Sequence, residues 1–404
     1  MDGLSRRTVL KAGGALGALG ALSVAAPAQA VPWTWSGSVA GTAASADPRW
    51  VWDPEADPLV ASVLDRGDVP RVNELLRTWT KNGQPLPAGL PADLRDFMEQ
   101  ARQLPSWADQ GKLATAYTFN EKRGLYLGLL YGLASGMMST VIPHEARAVY
   151  YSQGGADMKD RISKTAKLGY DIGTRNAYAP DGEMIVTCVK TRLVHAAVRH
   201  LLPQSPHWPG TADEDIPISQ RDMMVTWHSL PTTVMQKLTA WQVPIPAAES
   251  SAFLHSWQVG AHMLGIKDEY IPASWAEANS QAAQVLTPVL APTPEGVNLA
   301  DILLNLGSAV DGGILSKPIL GAFTRFMLGD QIAGWLNIAR EPVWDPLLRV
   351  AWGPFIKVRE GLLPFPLAPE AYWLFDEFLR KAALLFLSEA RPISIEIPDA
   401  NRPS

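Results

Sequence analysis

The sequence predicts a mainly α protein, and three observations carry that prediction. From Lys112 onward, apolar residues recur at spacings of three, four and seven, the period of a helix with one buried face. Alternating, strand-like runs are nearly absent. The stretches between and within the periodic segments concentrate proline, at Pro203, Pro206, Pro209, Pro231, Pro244, Pro246, Pro288, Pro292 and Pro294. Proline ends or bends helices by removing an N–H and crowding the preceding turn. No internal repeat, heptad or low-complexity tract appears beyond the first 30 residues. Cys188 is the sole cysteine among 404 residues, so stability must come from core burial rather than an intrachain disulfide. It is read as a buried small hydrophobe, with thiolate ligation as the alternative.

Residues 1–30 have the pattern of an export signal. Ser5-Arg6-Arg7-Thr8-Val9-Leu10-Lys11 is a twin-arginine n-region, Ala12 to Ala26 a mild apolar stretch, and Ala28-Gln29-Ala30 a small-residue cleavage site. This predicts export in the folded state and a secreted mature chain of residues 31–404, a single α-helical domain. Cleavage removes Arg6, Arg7 and Lys11 but only Asp2 among the acids, taking the formal charge from -5 to -7. An acidic protein without a basic stripe fits neither nucleic acid nor an anionic lipid surface, and a monomer is expected.

From Val31 to about Leu104 an irregular wrap carries helices over Asp68–Thr80 and Ala92–Gln103. Ala114–Ile142 is the longest predicted helix, uncharged from Leu125 to Ile142 and so close to membrane-spanning length. Gly124, Gly128, Gly132 and Gly136, with Ser135, Ser139 and Thr140, favour a buried core helix instead of a membrane span. Pro143 ends it and places His144 and Glu145 at a bend. Further helices are predicted over Asp157–Asn176, Glu183–Leu202, Ser219–Trp241, Ala248–Leu264, Trp275–Leu286, Leu299–Leu306, Lys317–Ile338 and Pro369–Ser388. Ser219 with Asp222 three residues on resembles a helix-start signature. The tail from Ile393 to Ser404 reads as an extended strap or a frayed end.

Two segments concentrate the chemistry: Arg161-Ile-Ser-Lys164-Thr165 and Arg192-Leu-Val-His195-Ala-Ala-Val-Arg199. His195 lies among Val189, Leu193, Val194, Val198 and Leu201, one turn from Arg192 and from Arg199. A neutral imidazole in apolar surroundings between two cations suits an iron porphyrin, the nitrogen on the metal and the arginines on the propionates. The plainer reading makes both arginines helix-surface ion pairs. Lys164 is either solvated beside Lys159 and Lys167 or buried and deprotonated enough to bind iron. Glu145 is either a helix N-terminal acid favoured by the dipole or a desolvated base kept ionised by a partner such as Arg161. Arg325, an isolated cation in an apolar helix, either reaches the haem edge or pairs with a buried carboxylate. His200, His207, His228, His255 and His262 read as bonded core or boundary residues, with His228 a possible pocket wall. No HExxH or CxxC pattern supplies a zinc cage.

Met158-Lys-Asp-Arg161-Ile-Ser-Lys164-Thr165-Ala, Lys190-Thr-Arg192-Leu-Val-His195 and Ile142-Pro-His-Glu145-Ala together resemble the latex clearing proteins, the secreted haem b rubber oxygenases of actinobacteria. The resemblance runs from the export signal through most of the chain and is densest between Trp107 and Trp241. It implies a globin-like helical core around the haem, with additional N- and C-terminal helices. It also implies His195 as proximal iron ligand, Lys164 as distal ligand in a closed state, and Thr165 and Arg161 as the distal polar wall. Arg192, Arg199 and Arg325 would support the haem. Dioxygen would be the co-substrate and poly(cis-1,4-isoprene) the substrate, with Glu145 taking an allylic proton and ketone and aldehyde ends formed. Two other classes remain open on the residues alone: a secreted haem carrier or redox protein, and a cofactor-free module for apolar ligands. A serine hydrolase is disfavoured by the lack of a GxSxG elbow.

Overall fold

A computed structural model of the protein describes residues 33, 35–42, 46–208, 216–310, 315–362 and 369–403. The twin-arginine segment lies outside them. Helices dominate, and the β pairing among the described residues is confined to two isolated bridges, Ser38 with Pro272 and Ser152 with Asn401.

Three helices build the N-terminal wrap: α1 (Asp57–Asp65), α2 (Val69–Arg77) and α3 (Ala92–Ala101). The first two carry proline in the first turn, where its missing N–H costs nothing. The long helix expected over Ala114–Ile142 is two helices: α4 (Gln110–Lys122), capped by the Asp109 carboxylate, and α5 (Gly124–Ser139). Arg123 separates them at φ -117, ψ 21. Its buried guanidinium donates to Glu249 at 2.7 Å and to the Pro244 carbonyl at 2.6 Å, long-range partners invisible to local periodicity.

Pro143 then opens α6 (Pro143–Tyr151), bent by 92° from α5. Glu145 therefore stands both beside a bend and in a helical first turn. No single helix among the described residues is long and apolar enough to cross a membrane. α7 (Met158–Asp171) starts on Asp157, and α8 (Met184–Leu201) buries nearly its whole length through the core. α9 begins at Gln220–Trp227 with the Ser219/Asp222 capping box and continues through a π segment, His228–Thr232, into Thr233–Ala240. The wider π turn admits Pro231 inside the helix, where an α turn would clash with it. A second π segment, Leu130–Ser135 in α5, meets it: the Ser135 hydroxyl donates to the Ser229 carbonyl at 2.5 Å.

The remainder is α10 (Ala247–Met263), α11 (Trp275–Val285), α12 (Pro294–Val310), α13 (Lys317–Trp335, kinked at Gly329), α14 (Trp344–Arg359) and α15 (Pro369–Leu387). One hydrophobic cluster runs from Ala56 in the wrap to Ile397 in the tail, with Phe119 and Phe253 stacked at 4.2 Å where α4 meets α10. The tail is a strap. Asn73 exchanges two 2.9 Å bonds with the Ile397 backbone, and Arg402 N–H reaches the Tyr151 carbonyl at 3.1 Å. Cys188 is buried and free, as expected of a small hydrophobe.

Candidate functional site

α6, α7 and α8 converge on Glu145, Arg161 and His195. All three are enclosed deep within the protein yet keep part of their surface uncovered, as groups lining an internal space do. Burial, followed by the charges of Arg199 and Arg161, pushes the His195 imidazole down to about 3, so it stays neutral at any working pH. Its Nδ1 is buried without a hydrogen-bond partner. Other histidines are engaged. His228 bonds Thr232 at 2.8 Å and Gln281 at 2.7 Å, which makes it a core residue. His255 accepts the Asp109 N–H, His262 bonds Asp268, and His200 lies 3.2 Å from Asp65.

Glu145 stands in the first turn of α6, and the Arg161 charge acts on both it and His195. Burial, with a smaller push from Asp222, raises its carboxyl to about 7 against the pull of a Thr226 hydrogen bond and the Arg161 charge. The Thr226 hydroxyl shares its proton between Oε2 at 3.2 Å and the Asp222 carbonyl at 3.1 Å. Glu145 is in turn the charge that counters the buried Arg161 guanidinium, whose Nη1 also lies 3.5 Å from the Ser152 hydroxyl. A carboxyl that titrates near neutrality can take and return a proton with little bias. Thr226 and Asp222 lie about 80 positions away from Glu145 in the sequence, and no local motif signals their approach.

The remaining expected site residues are placed differently. Lys164 pairs with Asp160 one turn back at 2.6 Å and is partly exposed, so its ammonium is not brought to the cluster in this conformation. Thr165 is exposed and donates to the Arg161 carbonyl. Arg192 forms a two-pronged pair with Asp53 at 2.6 and 2.9 Å, adds Glu55 at 2.7 Å, and lies over the Phe97 ring. Arg199 holds Asp57 at 2.7 Å and the Ile218 carbonyl at 3.1 Å. Both arginines thus tie α8 to α1 and its preceding loop, and a propionate would have to displace carboxylates already in place. Arg325 takes the carboxylate option, with Asp330 at 2.9 Å and Asp345 at 3.5 Å.

The residues fit a haem better than a bare ion. No cluster of three or more His, Cys, Asp or Glu capable of holding a metal occurs among the described residues. A metal that brings its own four ring nitrogens needs only one protein nitrogen, and His195 is neutral with an unpartnered ring atom. An open cleft of about 530 Å³ bounded by Tyr150, Asn298, Asp301 and Arg402 includes none of these residues.

A helical domain whose interior holds a neutral histidine with an unpartnered ring nitrogen and a poised carboxyl can support oxygenase chemistry, and the comparisons place the chain among oxygenases. The chain belongs to the family of the ER-bound oxygenase mpaB/B'/Rubber oxygenase catalytic domain, whose profile matches residues 123–358. It is 58% identical over 408 residues, covering 100% of both chains, to the rubber oxygenase of Streptomyces sp. (strain K30). It also superposes with a TM-score of 0.84 on the latex clearing protein in its closed state, at 57% identity, over 91% of this chain and 100% of that one. The mainly α architecture expected from the sequence is therefore that of its relatives.

Proposed function

We propose that this chain is a secreted, haem b-dependent dioxygenase that cleaves the double bonds of poly(cis-1,4-isoprene) to oligo-isoprenoids with aldehyde and ketone ends. The observation that carries the reading is that Glu145 and His195, both buried in the interior, are each acted on by the Arg161 charge, in a chain matched over its whole length by a rubber oxygenase. Haem, when bound, supplies the iron at which dioxygen is activated. His195 offers that iron a nitrogen that protons do not contest above pH of about 3. Glu145 takes the allylic proton on its carboxylate and returns it as the carbon–carbon bond breaks, so the alkene and one dioxygen become two carbonyls. Thr226 fixes Oε2, which leaves Oε1 to face the substrate. Arg161 holds the charge of Glu145 while it is ionised. Lys164 would serve as a distal ligand only after leaving Asp160 and losing its proton. The polymer has no polar group, so apolar contact alone binds and orients it. Export would follow the twin-arginine signal, and the mature N-terminus read from culture supernatant tests that part.

The deciding experiment records the visible spectrum of the purified mature protein, as isolated and reduced, beside His195→Ala, and then assays carbonyl products from polyisoprene under air. A b-type spectrum lost in the variant, with carbonyl-ended oligomers from wild type, is expected. A colourless wild type after haem reconstitution sinks the reading. A coloured protein that leaves polyisoprene intact would mark a haem carrier.

A further inference from the structure

The polarity of α15 is reversed. Its inner face is charged: Asp376 makes a buried ion pair with Arg359 of α14, Arg380 lies over the Tyr170 ring of α7, and Glu377 accepts from the Tyr170 hydroxyl at 3.0 Å. Its outer face is apolar, with Leu374 76% and Phe378 65% exposed and Phe375 and Leu385 beside them. The spacings 374, 378 and 385 make one stripe of the helix. A second stripe starts at the residue before α14, Val343, and continues along it through Leu347 and Val350, the last 76% exposed. Ten of the twelve exposed large hydrophobics among the described residues fall between Val343 and Leu385. Soluble helices turn the other way, and a concentrated apolar face marks an interaction surface.

We propose that the outward face of α14 and α15 adsorbs the enzyme onto the surface of solid polyisoprene, an inference that rests on the function proposed above. Charge selects this occupant. The exposed charges on the two helices, Arg349 and Lys357 on α14, Glu370 and Lys381 on α15, form no basic cluster, and the whole chain carries -5. Anionic lipid would call for such a cluster, whereas an uncharged hydrocarbon solid calls for apolar area and nothing else. Position selects it as well. α15 lies across α7, which carries Arg161, through Tyr170 with Glu377 and Arg380, and just past its end Glu389 pairs with Lys159 at 3.1 Å. Adsorption on this face brings the insoluble polymer to the side of the protein where the interior site lies. α15 also follows the end of the shared oxygenase domain at residue 358, within the part matched by the rubber oxygenase.

The test is co-sedimentation of haem-loaded full-length protein with lipid-free, protein-free polyisoprene particles, alongside anionic phospholipid vesicles and size-exclusion light scattering. The double variant Leu374→Ser/Phe378→Ser is compared with Leu347→Ser/Val350→Ser and with Trp50→Ser, an exposed aromatic away from the face. Each α14 or α15 variant should lower the particle-bound fraction by about tenfold or more through lost apolar contact, with Trp50→Ser unchanged. Turnover of particles should fall in parallel, while turnover of a short isoprenoid dispersed in detergent stays at the wild-type rate. Undiminished particle binding by both double variants overturns the proposal. So does a wild-type dimer that either variant dissolves, which assigns the face to a second copy, or binding to vesicles in preference to polymer. Wild type that binds particles but yields no carbonyls keeps the surface and removes the oxygenase reading. Wild type that cleaves the short isoprenoid but ignores particles does the reverse.

Discussion

α8 presents two polar regions one turn apart, and they are built on opposite terms. Arg192 and Arg199 are saturated: Asp53, Glu55 and Asp57 meet their guanidinium groups at 2.6 to 2.9 Å. Asp53 is held below the usual carboxylate range although burial alone would raise it, because the Arg192 hydrogen bonds and charge outweigh that cost. His195 and Glu145 are left short. The imidazole has an unpartnered nitrogen, and the carboxyl is raised to about 7 by burial that Thr226 and Arg161 only partly offset. Complete pairing fixes a scaffold, and incomplete pairing leaves a group free to bind or exchange something. The same helix does both because its faces meet different partners, α1 and its loop on one side and α6 and α7 on the other.

The contrast breaks most sharply at His195. His195→Ala should abolish haem retention and with it all turnover, while the melting curve of the apoprotein stays close to wild type, since no hydrogen bond is lost. A spectrum with wild-type haem occupancy would move the iron ligand elsewhere. Glu145→Gln comes next. It keeps the shape and the Thr226 contact but removes the base, and kcat should fall about 10²–10⁴-fold with haem content unchanged. Full activity in this variant would leave Glu145 as a helix N-terminal acid and nothing more.

On the saturated side the expected loss is stability rather than rate. Asp53→Asn takes the two-pronged carboxylate from the buried Arg192 guanidinium, at a cost of about 3 kcal/mol, seen in denaturant unfolding, while turnover per folded molecule holds. The pH dependences should have opposite signs. The folded-state pKa of Asp53 is depressed, so its contribution is present above the unfolded value of 3.8 and is lost as pH falls through the lowered folded value. The folded-state pKa of Glu145 is raised, so the native state holds its proton longer and stability declines as pH rises from 4.5 to about 7. Asp53→Asn should flatten the acid limb of the stability profile, and Glu145→Gln the neutral one. If both variants shift the same limb, the two regions are not separate.

How much of this was legible in the sequence depended on the range of the interaction. Helices with one apolar face were readable, and so were the Ser219/Asp222 cap and His195 within its apolar neighbours. α1 and α14 were not. In α14 the buried stripe of Leu348, Trp352 and Ile356 is blurred by Val343, Leu347 and Val350 on the outside and interrupted by Pro346 and Pro354. Apolar residues on both sides of the helix, which make its surface informative, erased its periodicity. The partners of Arg192 and Arg199 come from residues 53–57, about 140 positions away, so only the fold distinguishes propionate binding from ion pairing. Motif resemblance brought Lys164 and Thr165 forward together with Glu145 and His195, but a motif carries no conformation, and here the Lys164 ammonium faces Asp160.

The smallest effect offers the finest resolution of the unsaturated region. Thr226 is the single side-chain hydrogen bond that lowers the Glu145 pKa, set against burial and Asp222. Thr226→Val keeps the volume and removes the donor, so the carboxyl should become harder to ionise. If Glu145 works as a base, the acid limb of the kcat/KM profile, expected near 7 in wild type, should move up by about half a unit to one unit, as loss of about 1 kcal/mol of hydrogen bond implies. The plateau rate at high pH should change little, because the base regains its charge there. A uniform drop at every pH would instead mean that Thr226 sets the position of Glu145 rather than its proton affinity, and an unmoved limb would mean that another group controls the titration. Because Thr226 stands on α9, either shift would show that four helices, and not the motif-bearing three, tune the proton chemistry of this interior.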